Sequence, residues 1–438
     1  MQRVSYLVLF GSACLLAAAS ARAAGFSWQD GEGETTLLFD GRPAIRYMHL
    51  PYDNSTSEKR DWSFKPFHHV WSPDGATRLT KGDPGGLYPH HRGLFFGFNK
   101  VTYGGGKQCD VWHCTRGAHQ APAGELERSA DEHGAHHRVA IDWYANDEDV
   151  FAHEVREVRV TRPEHNGVAG WQIDFTSHVR TADDQPIHLD GDPQHAGFHF
   201  RASQEVPDKT AKQTYYLRTD GKGEPGDYRN WDPKAADSAV PTIRVVTNYP
   251  GAEPPEVESK VSQILEDAVA SVAGLDGRRS LNTDGMSTLT LTFRSDQDIN
   301  VAIQDVRDAI AGVMNRLPPG SDPPVVQKQD RDASSMNQQC ENRPWNAASF
   351  VIGDQRYTVL YMDHPTNPKP ARYSERDYAR FGSYFAADVT KESPLKVKYR
   401  VWVQPGEMTQ DQCHALSMVF NLDKSADAVT ISQDAAAE

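Results

Sequence analysis

The chain has 438 residues, of which 38% are hydrophobic, 10% aromatic and 24% charged; these are globular values, enough for two or three domains, and they exclude general disorder. Its formal net charge of −14 leaves no basic face, which excludes nucleic acid and an anionic membrane surface as partners. No H-E-x-x-H, paired C-x2-C or EF-hand loop occurs, so no cofactor and no metal is expected from motifs.

The first element is a targeting segment. Arg3 begins a short positive region, Leu7 to Ala19 is apolar, and Ala21-Arg22-Ala23 forms a small-x-small cleavage site, the layout of a signal peptide over residues 1–23. The apolar run is shorter than the roughly 18 residues a membrane span needs. A mature protein without a membrane span, periplasmic or extracellular, is expected. Export gives the cysteines a redox context. Cys109 and Cys114 in CDVWHC stand roughly 16 Å apart if that stretch is extended, too far to bond. Bridges to Cys340 and Cys413 and free thiols both stay open.

Residues 24–237 carry short alternating runs broken by Gly, Pro, Asp and Asn, among them TLLFD, HHRVAIDWYA, REVRVTR and WQIDFTSHVR. This is the pattern of many antiparallel strands in a mainly β protein, a sandwich or barrel. In YPHHRGLFFGFNK, strand alternation places His90 and Arg92 on one side and His91 on the other. In QHAGFHFRA it places His195, Gly197, His199 and Arg201 on one face, with Phe198 and Phe200 on the core face. In CDVWHC it groups Asp110 with Trp112, a pairing that suits a stacked sugar ring with its hydroxyls on the carboxylate.

From 238 to 337 the texture changes. TIRVVTNY and MSTLTLTFR alternate as strands, while Val257, Val261, Ile264, Leu265, Ala268 and Val269 share one helical face after Pro254 and Pro255. Asp298 caps a second amphipathic helix carrying Ile299, Ala302, Val306, Ile310 and Val313. The sum is an inserted ferredoxin-like α+β unit, a split βαβ of order βαββαβ. Residues 338–425 return to β texture in ASFVIGD, YTVLYMD and LKVKYRVWVQ. YMDHPTNPKPARYSERDYARFGSYF then gathers Asp363, His364, Arg372, Glu375, Arg376 and Arg380 in a proline-stiffened loop suited to holding a polar ligand. Residues 426–438 read as a flexible tail.

Two resemblances follow from these residues. The YPGA, V-x-GL, F-x-S-x-x-D-I and LPPG-DPPVVQKQD motifs of residues 240 to 335 resemble the first porter subdomain of resistance-nodulation-division efflux pumps. Such pumps rely on membrane helices for which this sequence has no run, so the segment is expected to add no transport and to serve, at most, protein contacts. FKPFHHVWSPDG, YPHHRGLFFGFN, YGGGKQCDVWHC, TYYLRTDGKGEPGDYRNWDPK and RPWNAASFVIGDQRY resemble secreted proteins known as methane oxygenase PmoA-like, over residues 25–235 and 340–425. That resemblance implies an antiparallel sandwich of mutarotase-like, supersandwich type.

Together these readings give a pocket for a carbohydrate-like small molecule, with His90, His195, His199, Asp363 and His364 as acid–base candidates. His68, Arg92, Asp110, Trp112, Arg201, Arg372, Glu375, Arg376 and Arg380 are the ligand-binding candidates. Tyr47, His49 and His69 have less support. The sequence leaves open whether this site turns over its ligand, binds it without catalysis, or holds copper as the family name suggests.

Overall fold

The computed structural model describes residues 25–233, 242–294, 297–328 and 337–422; the expected signal peptide and the expected tail lie outside them. The protein is mainly β, with antiparallel sheets. Eight strands form one sheet, running in spatial order Phe26–Gly31, Glu34–Phe39, Arg42–Met48, Phe67–Val70, Leu94–Phe98, Ala196–Arg201, Arg380–Tyr384 and Arg372–Ser374. A nine-stranded sheet faces it, with Leu395–Pro405, Trp171–Thr181 and Val150–Thr161 near its middle.

Alternating residues from both sheets interlock in one core. Phe198 stacks on Phe175 at 4.2 Å and on Tyr399 at 4.9 Å, and Phe96 meets Trp143 at 5.9 Å. Sandwich packing follows because each strand has one apolar face to bury. Chain segments from both ends contribute to both sheets: Tyr215–Arg218 pairs with Trp345–Ile352, and Ala196–Arg201 with Arg380–Tyr384. The chain described after residue 405 is helical over Gln410–Leu422. The helix lays Cys413 and Phe420 on Trp402, Leu360 and Met362, covering the outer face of the larger sheet.

Residues 242–328 build a separate four-stranded sheet, in spatial order Leu275–Thr283, Met286–Phe293, Thr242–Asn248, Val325–Lys328, with all neighbours antiparallel. That is the strand order of a ferredoxin-like unit. Its core joins Val257, Val261, Leu265 and Val269 to Leu289, Leu291, Phe293 and Val306. The Asp298 side chain accepts from the Asn300 amide and starts the helix Ile299–Ala311, as the sequence predicts. Among the described residues no helix is long and apolar enough to cross a membrane.

On the outer face of the larger sheet, Glu157 sits 2.6 Å from Arg159 Nε and 3.1 Å from His136 Nε2. His136, and then Arg159, hold its carboxyl down at about 2, against the opposing effect of burial. A depressed carboxylate stabilises the fold above its ordinary value near 4.5 and loses that contribution as pH falls toward 2. Urea midpoints should therefore separate the protein from its E157Q variant most above pH 4.5, and the gap should close by pH 2.

Candidate functional site

The outer face of the eight-stranded sheet carries buried histidines and arginines, among them His199, Arg201 and Arg380. On Ala196–Arg201, alternation sends Phe198 and Phe200 into the core and turns His199 and Arg201 outward, as expected. The register places His199 opposite Gly382 and Arg201 opposite Arg380. Arg380 Nη1 lies 3.3 Å from His199 Nδ1 and donates to Ser374 Oγ at 3.0 Å. Gly197 has φ +83°, and a Cβ there would meet Ser383 O at 2.1 Å, so only glycine allows the chain to turn from His195 into the strand.

Loops roof this face. The stretch 88–93 is not a strand, because Tyr88 and Gly93 take positive φ (51° and 23°) and the strand begins at Leu94. The expectation that His90 and His91 point to opposite sides is therefore corrected: their rings lie 4.3 Å apart and face the same cluster. His195, in the turn before its strand, comes within 5.4 Å of the His90 ring and 5.6 Å of the His91 ring. The coordinating atoms of His90, His91 and His195 all lie within 4.8 Å of one another. His113 adds a fourth ring, 4.5 Å from both His90 and His195.

His113 is positioned by a turn. Asp110 Oδ1 accepts from the amides of Trp112 and His113, and Asp110 Oδ2 lies 2.7 Å from His113 Nδ1. This turn also corrects the sugar-stacking expectation for Trp112. The indole is 1% exposed and packs with Phe67 and Phe95, edge-on to His199 at 4.9 Å. All four described cysteines are free thiols. The sequence reading missed His113; its signal was the D-x-x-H spacing, visible only once CDVWHC is read as a turn.

Five basic side chains lie around the cluster, and the hydrogen-bond partners of each are neutral. Arg201 donates to the carbonyls of Ala202, Tyr378 and Leu87 and to Gln204 Oε1. Arg92 donates to Gly82 O and Asp61 O. Lys65 Nζ donates to Trp112 O at 2.5 Å and sits 3.9 Å over the Phe95 ring; Lys81 Nζ donates to Gly85 O at 2.7 Å. Burial lowers Lys65 to about 7, and burial together with Arg92 lowers Lys81 to about 7. Burial likewise brings Arg92 and Arg201 down to about 10. His90 falls to about 2 and His195 to about 4, mainly through burial and then through neighbouring cationic groups. These imidazoles are neutral near pH 7.

The other expected site residues lie elsewhere. His68 sits beside Tyr47 at 5.0 Å, near Arg156. Asp363 is buried, 2.7 Å from Asn367 Nδ2 and 3.1 Å from Ser383 Oγ, while His364 packs on Phe420. Arg372 covers Trp231 at 4.2 Å, Arg376 lies over Tyr228, and Glu375 binds Arg218. Of the loop 363–380, only Arg380 joins the histidines. A shallow cleft of about 150 Å³ lined by Tyr103, Lys107, Asp149, Asp183 and Gln185 contains none of these groups.

Residues 34–242 match a family of unknown function, DUF6807. Residues 236–340 match the AcrB/AcrD/AcrF family, over the separate α+β unit. The DUF6807 match spans the loops and strands that carry His90, His91, His113, His195, His199 and Arg201, so most of the cluster lies within the matched residues. Its description names no reaction and does not carry the methane-oxygenase label.

Proposed function

We propose that this chain is an exported protein that binds a small anionic, hydroxyl-rich molecule of sugar-acid type on the histidine-roofed face. The observation that carries the reading is the set of buried cations, Arg201 and Arg380 above all, whose hydrogen bonds go to neutral groups. An unpaired buried charge is costly, and an anion placed between guanidinium groups offsets that cost with charge-assisted bonds. The four imidazoles add donors and acceptors for hydroxyls. The sugar class itself comes from the resemblance to mutarotase-like sandwiches. His113 with Asp110 is the pair available for proton transfer at the rim. The α+β unit is read as a passenger module for protein contacts, without transport.

Calorimetric titration with D-glucuronate and D-galacturonate, against neutral glucose and galactose, tests this. The acids should bind and the neutral sugars should not. R380M should weaken acid binding about 10- to 100-fold, as expected for a lost hydrogen bond to a charged group, while leaving Tm unchanged or higher. Equal binding of acids and neutral sugars, or undiminished acid binding by R380M, would overturn the reading.

A further inference from the structure

Three imidazoles from two distant loops meet with their coordinating atoms inside 4.8 Å. His90 Nε2 and both ring nitrogens of His91 are buried without a hydrogen-bond partner. Buried polar atoms normally have partners, so three such nitrogens in one spot call for an explanation. From these contacts we infer that His90, His91 and His195 form a binding site for a divalent transition-metal ion, with the His113 ring beside it.

The donor set selects the ion class. Imidazole alone suits zinc, copper(II) or nickel, and the trio has neither the carboxylates that favour magnesium and calcium nor a thiolate. Metal–imidazole bonds of about 2.1 Å hold the nitrogens well inside 4.8 Å of one another, a fit that rotation of loop-borne rings completes. Outer carboxylates stand where metal-binding histidines have them: Asp110 Oδ2 at 2.7 Å from His113 Nδ1 and Asp192 Oδ2 at 3.6 Å from His195 Nδ1. Asp192 is itself held by Asn99 and Lys100. Such pairs orient the ring and raise its basicity. Arg380 and Lys65 oppose a cation here, but they also favour the neutral imidazoles whose lone pairs a metal needs. The inference goes beyond the sugar-acid reading and does not depend on it.

The test uses the purified chain, stripped with a chelator and titrated with zinc sulfate and copper(II) chloride in the absence of sugar. One ion per chain should bind. H91A and H195A should each raise the dissociation constant at least about 100-fold, since loss of even an outer-shell partner costs about 10- to 100-fold. D192N should weaken binding about 10-fold, and H133A, an exposed histidine, should not change it. X-ray absorption of the loaded chain should show at least three imidazole nitrogens, a readout that needs no variant to fold. No stoichiometric binding, or a loaded site with fewer than three imidazoles, overturns the inference.

Discussion

Replacing Arg218 with methionine is expected to destabilise the protein by about 3–5 kcal/mol, the cost of leaving a buried charge without its partner. Arg218 and Glu375 are both buried. Arg218 Nε and Nη2 reach the Glu375 carboxylate at 2.8 and 2.5 Å, and Asn346 and the Arg229 amide complete its shell at 2.8 Å each. The pair ties the strand Tyr215–Arg218 of the larger sheet to the residue that follows Arg372–Ser374 of the smaller one. In R218M the carboxylate keeps two neutral donors and loses its countercharge. Urea unfolding should show the loss as a shifted midpoint at unchanged slope. A change under 1 kcal/mol would show that Glu375 is not a structural ion and would reopen it as a ligand group.

Arg156→Met is expected to cost a similar amount, about 3–5 kcal/mol. Glu154 and Arg156 are fully buried between the sheets, two residues apart on the same face of Val150–Thr161. Glu154 also accepts from Trp143 Nε1 and Ser177 Oγ, both at 2.9 Å, and Arg156 lies 5.5 Å over the Phe175 ring. Removing the guanidinium strands the carboxylate in the core. The double replacement E154Q with R156M should recover much of the loss, because no net charge then stays buried. Thermal or urea unfolding of the two variants side by side checks both halves of this statement.

These two ion pairs mark the limit of what sequence pattern reveals. Alternation correctly divided Phe198 and Phe200 from His199 and Arg201, because a paired strand leaves side chains no choice of face. The same rule failed at His90 and His91, where Pro89 and positive φ at Tyr88 and Gly93 replace strand with loop. At Gly93 a Cβ would meet His68 O at 2.0 Å, a close approach that depends on a residue 25 positions earlier. The helical periodicity of residues 257–313 was legible because its core is local to that segment. By contrast, Arg372, Glu375, Arg376 and Arg380 looked like one site because they are close in sequence. They part company because their partners come from three separate segments: Tyr228 and Trp231 from one loop, Arg218 from the strand Tyr215–Arg218 and His199 from the strand Ala196–Arg201. His113 and Asp192 were missed since their importance lies in which histidines they stand beside.

The claim that matters most is that an anion occupies the face formed by His91, His195, His199, Arg201 and Arg380. Nitrogen-15 correlation spectra of the histidine rings, recorded while D-glucuronate is added, test it directly, with signals assigned through single histidine variants. The account predicts that the ring signals of His91, His195 and His199 move together and saturate at one ligand per chain, while those of exposed His133 and of His165 stay fixed. Stationary signals for His195 and His199, or equal movement of His133, would contradict it.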